Sequence, residues 1–189
     1  MTKPTFILAS ASPRRLQLLQ QIGLAPDKIV PADIDETPAK DELPMVYAKR
    51  MAGEKARAVS ALHPDSVVLA ADTVVACGRR ILPRADDEKT AKRCLEILSG
   101  RRHRVYTAVC IIAGEKTASA CVMTQVKFSR LEKTDIAAYL ASNEWQGKAG
   151  GYAIQGRAEA FIPWVSGSVS NVIGLPLAET KKLLKRFGV

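Results

Sequence analysis

Near the start of the sequence, the residues best suited to chemistry form the segment Ser10-Ala11-Ser12-Pro13-Arg14-Arg15. Serine hydroxyls and arginine guanidinium groups donate hydrogen bonds to phosphate oxygens, and a helix N-terminus adds backbone N–H groups and a partial positive charge. Ser12 and Pro13 are favoured residue types at the N-cap and first position of a helix. The segment predicts a phosphate-binding turn, and it equally fits an ordinary helix cap followed by two exposed arginines.

Two acidic positions could act together with such a turn. Asp72 follows the apolar run 66–71, which has the composition of a strand buried on both faces, and ligands gather beyond the carboxyl ends of strands in open α/β sheets. The pair Asp35 and Glu36 offers oxygen ligands of the kind that Mg²⁺ shares with substrate phosphates. Asp72 could therefore hold a metal or orient a water. A turn-forming aspartate and an acidic surface loop are the simpler alternatives.

Two further features are weaker. The glycines within residues 148–156 let a backbone approach a ligand closely, and Gln155 carries donors and acceptors that suit the edge of a base. A flexible structural loop is an equal alternative there. Lys55 falls in the middle of a predicted helix, where an ordinary exposed lysine is the simpler interpretation.

Several catalytic patterns are absent from the sequence. It has no Ser-His-Asp set, no GxSxG elbow and no GxxxxGK[ST] phosphate loop. Its four cysteines form no CxxC pair and only two histidines are present, so we predict reduced core cysteines and no structural zinc. The remaining pattern, a basic anion site with separated carboxylates, suits metal-assisted attack of water on a phosphate.

The elements that must position these residues follow from local patterns of apolar, capping and turn residues. A strand, a turn and a helix ending near Gly23 open the chain. Further helices are predicted over 44–62, 86–98, 135–142 and 178–187. Further strands are predicted over 29–32, 66–71, 74–76, 81–82, 103–113, 117–129 and 160–165. This mixture predicts an α/β protein in which helices pack around one sheet.

Composition limits the classes of protein. The chain has 189 residues, of which 47% are hydrophobic, and no repeat or linker divides it, so we predict a single domain over residues 1–189. No apolar run reaches the roughly 20 residues of a membrane span, and the widely spaced cysteines suit a cytoplasmic protein. The net charge of +9 favours solvated helix surfaces first, anionic small ligands second and nucleic acid third, because aromatic residues make up only 5%.

Together the motifs resemble the Maf family of nucleoside triphosphate pyrophosphatases. The resembling stretches are in the family's order and cover nearly the whole chain, at residues 8–15, 35–37, 71–75, 148–156, 167–168 and 170–177. The resemblance implies hydrolysis of a nucleoside triphosphate to the monophosphate and pyrophosphate with a divalent metal, Mg²⁺ or Mn²⁺. It also implies an elongated fold, similar to inosine triphosphatase, with two lobes around a central cleft, often as a homodimer.

The resemblance also implies roles for single residues. Asp72 would accept the proton of the attacking water, and Glu36 would hold the metal together with Asp72. The positions that would line the triphosphate site are Ser10, Arg15, Lys55 and Arg84. The family usually has Gly-Lys-Pro where this chain has Pro83-Arg84-Ala85, and often tyrosine where Val169 stands. Both departures leave Asp72 and Glu36 in place, so we predict an active enzyme.

The choice of base follows from three positions. At Arg14, Thr73 and Gln155 the chain resembles the family's dTTP/UTP branch, whereas the 7-methyl-GTP branch tends to carry tryptophan, glutamine and glutamate there. A cationic methylated guanine would favour an aromatic face and a carboxylate, and neither is offered at these positions. The prediction is therefore a pyrophosphatase for dTTP and UTP that binds no nucleic acid. The alternative is a basic nucleic-acid-binding regulator of cell division.

Overall fold

The computed structural model describes residues 4–189. Its strands are β1 Phe6–Leu8, β2 Lys28–Ile29, β3 Val67–Cys77, β4 Arg80–Leu82, β5 Arg84–Ala85, β6 Arg102–Ala113, β7 Lys116–Lys127, β8 Lys148–Ala149 and β9 Trp164–Ser166. Its α-helices are α1 Pro13–Gln21, α2 Pro44–Leu62, α3 Glu88–Leu98, α4 Lys133–Ala141, α5 Val169–Ile173 and α6 Leu177–Leu184. Two short 3-10 helices cover Arg157–Phe161 and Lys185–Phe187.

One mixed sheet organises these elements. Its strand order is β2-β1-β3-β6-β7-β9, with β4 beside β3, and only the pairings of β1 with β2 and β3 are parallel. The hairpin of β6 and β7 has 12 residues in each strand, which is about 40 Å at ~3.4 Å per residue. Strands β5 and β8 form a separate two-stranded sheet. The predicted mixed sheet with flanking helices is confirmed.

The edge of β3 that faces away from β6 is interrupted. It pairs with β1 at residues 67–69 and with β4 at residues 75–77. Between them, residues 70–74 have β6 on one side and no other strand of the described chain on the other. After the Ala9 N–H donates to the Leu69 carbonyl at 2.7 Å, the chain leaves the sheet and enters α1. This interruption opens the sheet beside Asp72.

Strand alternation sends neighbouring side chains of β3 to opposite faces. Val68, Ala70 and Val74 pack against α2, in a core that includes Ala48, Met51 and Ala52. Val67, Leu69 and Ala71 pack on the other face with Leu18 and Leu19 of α1 and with α6. By the same alternation, Asp72 faces α2 and Thr73 faces α1.

Some predicted bounds were wrong. Asp72 was predicted to leave a strand at its end, but β3 continues to Cys77, so Asp72 lies in mid-strand. The strand predicted over 160–165 is shorter and starts later, because residues 160 and 161 end the 3-10 helix Arg157–Phe161 and only Trp164–Ser166 forms a strand. The helix predicted from Asp86 starts at Glu88, and the last α-helix ends at Leu184. The single-domain prediction includes residues 1–3, which lie outside the described residues, and it stays a prediction.

Two other expectations can be compared directly with the structure. All four cysteines are free; Cys94 and Cys110 are buried, whereas Cys77 and Cys121 are half-buried. Over residues 4–189, none of the helices has the length and apolar character that crossing a membrane requires.

A buried histidine gives the fold a pH-dependent stability. His103 is 1% exposed, its Nε2 lies 2.8 Å from the Tyr152 hydroxyl, and no described group bonds its Nδ1. Burial lowers the pKa of His103 to about 4. As pH falls from about 6.5 towards 4, the unfolded chain therefore takes up a proton that the folded chain does not, so the folded state loses stability. We expect a loss of about 3 kcal/mol from this group.

Urea unfolding at pH 7 and pH 4.5 measures this effect. His103→Gln keeps a side-chain hydrogen-bond partner for the Tyr152 hydroxyl and cannot titrate, so its stability should depend less steeply on pH than that of the wild type. Equal pH dependence in the two proteins would show that His103 is not the responsible group.

Candidate active site

A cleft of about 820 Å³ opens at the interrupted edge of β3. All nine residues predicted for the site line it: Ser10, Arg14, Arg15, Glu36, Lys55, Asp72, Thr73, Arg84 and Gln155. With Lys148, the cleft has five cationic side chains and two carboxylates, which give it a formal charge of +3. A pocket with this charge and several fixed polar groups is suited to a polyanion.

Lys55 joins the two carboxylates at the cleft floor. Its Nζ lies 2.7 Å from Asp72 Oδ1 and 3.0 Å from Glu36 Oε1. The residue is 9% exposed, so it is not the ordinary surface lysine that its helix position indicated. It points from α2 towards the face of β3 that carries Asp72. Because a buried charge requires a partner, Lys55 and Asp72 fix each other's positions.

Tyr47 and Arg50 hold the acidic loop that carries Glu36. The Tyr47 hydroxyl donates to the Glu36 carbonyl at 2.6 Å, and Arg50 donates to the Thr37 carbonyl at 3.1 Å. Arg50 also binds both carboxylate oxygens of Glu42, at 2.8 and 2.7 Å, and this hydrogen bonding lowers the pKa of Glu42 to about 2. The loop is therefore anchored to α2 and directs Glu36 into the cleft.

Asp35, the other acidic candidate, is used within its own loop. Its Oδ1 accepts from the Thr37 N–H at 2.9 Å, and hydrogen bonding to Thr37 lowers the pKa of its carboxyl group. Among residues 4–189, no three His, Cys, Asp or Glu side chains come together as a metal site. Glu36 and Asp72 nonetheless converge on one cation, Lys55 Nζ. Two carboxylates that share an ion with substrate phosphates suit Mg²⁺, which is seldom enclosed by protein ligands alone.

Arg15 connects three separate segments at the other side of the opening. Its Nε donates to the Gly174 carbonyl at 2.9 Å, one terminal nitrogen to Ser10 Oγ at 2.9 Å and the other to Thr73 Oγ1 at 3.3 Å. Burial lowers the pKa of the guanidinium and the Asp72 carboxylate opposes that shift, but an arginine stays charged at neutral pH. Its remaining N–H groups can bind a ligand.

The bonds around Ser10 fix the direction of its hydroxyl. Ser10 Oγ accepts from Arg15 and from the Ser12 N–H at 3.2 Å. A serine oxygen has two lone pairs, so both are engaged and the hydroxyl hydrogen remains to be donated. Ser10 is therefore suited to bind a phosphate oxygen. Ser12, at the N-cap of α1, makes no side-chain cap bond.

The Thr73 hydroxyl is part of a chain of hydrogen bonds that includes the Thr107 hydroxyl. Thr107 Oγ1 donates to the Asn171 carbonyl at 2.7 Å, so in its 3.0 Å contact with Thr73 the donor is Thr73. Thr73 accepts from Arg15 at the same time. While these bonds hold, the Thr73 hydroxyl cannot donate to a substrate. Its place in the structure fits the positioning of Arg15 between β3 and α5, and its predicted substrate contact stays a prediction.

Gln155 projects from an anchored loop. Tyr152 and Ala153 are buried beside it, the Ala153 N–H donates to the Tyr139 hydroxyl at 3.1 Å, and the Tyr152 hydroxyl contacts His103. Gln155 itself is exposed and lines the cleft. The loop is thus held at its base, and the amide side chain of Gln155 faces the cleft.

Sequence reasoning missed Lys148 and Thr107. Lys148 begins the glycine-rich stretch and lines the cleft with Arg14 and Arg84, and its position in that stretch was the available signal. Thr107 is fully buried in mid-strand, and its sequence neighbours give no sign of its contact with Thr73.

Comparison with known families identifies the family of this chain. The sequence profile of the family described as Maf-like protein matches residues 5–187. The chain belongs to the Maf family. The cleft of this Maf-family chain is assembled from segments that lie far apart in the sequence.

Curated Maf-family relatives match nearly the whole chain. The "dTTP/UTP pyrophosphatase" of Rhodospirillum rubrum is 62% identical over 96% of this chain and 87% of that protein. The protein of the same name from Paramagnetospirillum magneticum is 57% identical over 96% of each. Among solved structures, the Staphylococcus aureus Ham1 protein aligns with a TM-score of 0.47 and 14% identity, over 65% of this chain and 70% of that one.

Proposed function

We propose that this Maf-family chain hydrolyses dTTP and UTP, and modified pyrimidine nucleotides of the same shape, to the monophosphate and pyrophosphate. The observation that carries the proposal is identity of 54–62% over nearly the full chain to relatives named dTTP/UTP pyrophosphatase. The cleft supplies the chemistry, because it places carboxylates beside donors for phosphate in a basic pocket.

The substrate is held by charge and by hydrogen-bond direction. Ser10 donates its hydroxyl hydrogen, Arg15 donates its remaining N–H groups, and Lys55 adds positive charge beside Asp72. Charge neutralisation and positioning are the main contributions that a protein makes to phosphoryl transfer. These groups are preorganised by contacts within the protein, so little rearrangement is needed when the triphosphate binds.

Asp72 is the proposed proton acceptor. Lys55 holds Oδ1, and no group of residues 4–189 donates a hydrogen bond to Oδ2, which leaves that oxygen for a water. The water oxygen attacks the α-phosphorus while its proton passes to the Asp72 carboxylate. The bond between the α-phosphorus and the bridging oxygen breaks, and pyrophosphate leaves with that oxygen.

The cofactor in this proposal is a divalent cation, Mg²⁺ or Mn²⁺, held by Glu36 and Asp72. When bound, it supplies neutralisation of phosphate charge and Lewis acidity. The protein's own part is to hold both carboxylates close together through Lys55 and through the loop bonds of Tyr47 and Arg50.

The cellular compartment, the oligomeric state and the binding partners are also part of the proposal. We place the enzyme in the cytoplasm as a homodimer that acts on free nucleotides, with neither nucleic acid nor membrane as a partner. The resemblance to the Maf family also implies a link to septum formation and cell division, which stays a prediction. A nucleic-acid-binding regulator is the competing class. Salt-sensitive binding of duplex DNA near physiological ionic strength would favour that regulator.

Pyrophosphate release from a nucleotide panel tests the activity. The panel holds dTTP, UTP, dCTP, CTP, ATP, GTP and 7-methyl-GTP, each with Mg²⁺, with Mn²⁺ and after chelation. We expect release from dTTP and UTP that is lost on chelation. Release from none of them would contradict the enzyme, and release that survives chelation would contradict the metal.

A substitution in the loop tests the choice of base. Gln155→Glu removes the amide donor and adds a negative charge, so kcat/KM for dTTP and UTP should fall about tenfold, as expected for one lost hydrogen bond to a base. Gln146→Glu places the same charge elsewhere in the cleft lining and is the matched control. If both variants lose equal activity, charge alone explains the effect and the base contact of Gln155 is wrong.

A further inference from the structure

The turn that carries Gln155 is held at both ends by residues from one end of α4. A hydrogen bond of 3.1 Å from the Gly156 N–H to the Ala153 carbonyl closes the turn, and Gln155 is its third residue. The residues that hold its ends are Tyr139, in the last turn of α4, and Glu144, which follows that helix. Resting on the proposed function, in which Gln155 contacts the base, we propose that Glu144 is a positioning residue for Gln155 and thereby for the choice of base.

The two ends of the turn use different contacts. At the first end, the Ala153 N–H donates to the Tyr139 hydroxyl at 3.1 Å, and both residues are buried. At the second end, the Arg157 N–H donates to Glu144 Oε2 at 2.8 Å. Because Arg157 begins a 3-10 helix, its N–H has no acceptor within that helix. A carboxylate is a strong acceptor for such a group, so Glu144 fixes the point at which the chain leaves the turn.

Gly156 makes room for this carboxylate. Its φ is −115°, which residues other than glycine also adopt, so the backbone conformation does not require glycine. A Cβ at this position would collide with Glu144 Oε2 and lie 2.9 Å from Glu144 Cδ. The missing side chain therefore lets the Glu144 carboxylate lie against the backbone of the turn and reach the Arg157 N–H.

The backbone that carries Glu144 is tied to the end of α4. The Glu144 N–H donates to Ser142 Oγ at 3.3 Å, and the Ser142 hydroxyl donates to the Tyr139 carbonyl at 2.6 Å. The next residue, Trp145, is buried, and its Nε1 donates to the Leu140 carbonyl at 2.9 Å. The Glu144 carboxylate is therefore held from a fixed segment of the protein.

A surface ion pair is the simpler explanation of Glu144. Its Oε1 lies 3.7 Å from Arg157 Nε, and the Arg157 side chain is 70% exposed. Such a pair contributes little, because water screens it and the long side chain loses freedom. The contact of Glu144 with the Arg157 backbone is shorter, at 2.8 Å, and its partner is a fixed N–H group. The backbone contact is therefore the one that holds the turn.

Glu144 acts through Gln155 because it does not line the cleft itself, whereas Gln155 is exposed and does. Without Glu144, the second end of the turn would lose its support and the direction of the Gln155 amide would vary. Ser10 and Arg15, which bind phosphate in the proposed function, are fixed by hydrogen bonds to other segments. Loss of the Glu144 carboxylate should therefore weaken contacts with the base and spare contacts with the phosphates.

The charge of Glu144 also extends to the cleft. Burial is the main cause that lowers the pKa of Lys148, and the charge of Glu144 opposes this shift. A change at Glu144 can thus act on the turn or, through its charge, on a cation of the cleft lining. Glu144→Gln separates the two effects, because glutamine keeps an acceptor for the Arg157 N–H and removes the charge.

Calorimetric binding of dTMP and of inorganic pyrophosphate tests the role of Glu144, because only dTMP carries a base. In Glu144→Ala, dTMP affinity should fall about three- to tenfold, as expected when one hydrogen bond to the base is weakened. Pyrophosphate affinity should not fall, since the variant removes a negative charge. Glu144→Gln should keep most of the dTMP affinity. Arg157→Gln removes the ion pair but keeps the backbone N–H, so it should bind dTMP like the wild type.

A double-mutant cycle separates positioning from general damage to the fold. Once Gln155→Ala has removed the amide, adding Glu144→Ala should change dTMP affinity by less than about twofold, because residues that act as a unit are not additive. Gly156→Ala is an independent variant. Its methyl group displaces the Glu144 carboxylate from the Arg157 N–H, so it should show the same selective loss of dTMP affinity even if Glu144→Ala folds poorly.

Three results would overturn the inference. They are unchanged dTMP affinity in Glu144→Ala and Gly156→Ala, equal weakening of dTMP and pyrophosphate, and additive losses in the cycle. Turnover of dTTP by the wild type is measured beside them. If the wild type releases pyrophosphate and Gln155→Ala weakens dTMP binding but Glu144→Ala does not, this inference alone fails. If the wild type turns over no nucleotide, the proposed function fails, and the dTMP affinities still decide whether Glu144 acts through Gln155.

Discussion

Asp72→Asn is expected to lower kcat for dTTP by about 10²–10⁴-fold, the usual contribution of a positioned general base. Asparagine keeps the shape of the side chain but cannot take the proton of an attacking water. Lys55 retains Glu36 as a partner at 3.0 Å, so the variant does not leave the ammonium buried and alone. The fold should therefore survive, with a loss of about 1–3 kcal/mol from the weakened contact.

Steady-state and single-turnover pyrophosphate release measure the loss of kcat, and urea unfolding measures the loss of stability. Asp65→Asn is the control, because Asp65 is exposed and does not line the cleft. Binding of dTMP should persist in Asp72→Asn. Turnover within about fivefold of wild type would exclude Asp72 as the base, because proton transfer contributes more than that. Loss of activity together with unfolding would leave the role to be tested by Asp72→Glu, which retains a carboxylate.

Local signals predicted the opening of the fold and its longest helix. Pro13 starts α1 after Ser12, and the apolar spacing between Pro44 and Leu62 gives α2 with the predicted bounds. Both depend on neighbours a few residues away. The position of Asp72 was wrong for the opposite reason: β3 continues because β4 and β6 pair with it beyond Asp72, and those strands come later in the chain.

In the candidate site too, local sequence predicted some features and contacts between distant segments determine the others. The motifs predicted which residues belong to the site, but the hydrogen-bond and ion-pair partners of those residues depend on tertiary packing. Nothing near Lys55 in the sequence indicates that α2 faces the middle of β3, so its burial was not predictable. The contact of Thr73 with Thr107 spans 34 positions and depends on the register of β3 with β6. Resemblance supplied candidate residues, whereas the structure supplied the directions of their hydrogen bonds.

The three hydrogen bonds of Arg15 make it the position where, after Asp72, we expect a substitution to have the largest effect. Arg15→Lys keeps one positive charge but replaces a planar fork with a single ammonium group, which cannot reach Gly174, Ser10 and Thr73 together. The lost bonds should lower kcat/KM for dTTP by about 10²-fold, with KM raised and kcat reduced. Freed acceptors at the Gly174 carbonyl and Thr73 should lower the free energy of unfolding by about 1–3 kcal/mol.

Steady-state kinetics with dTTP measure the loss of kcat/KM, and urea unfolding measures the loss of stability. Arg186→Lys is the matched control, because Arg186 is exposed and lies outside the cleft lining. Thr107→Val adds a sharper comparison. It removes the hydroxyl to which Thr73 donates, so Thr73 is free to turn and Arg15 loses a fixed partner. That variant should raise KM by a smaller factor than Arg15→Lys, since Ser10 and Gly174 still hold the guanidinium. If Arg15→Lys leaves KM unchanged while stability falls, Arg15 is a structural connector and the phosphate is bound elsewhere in the cleft.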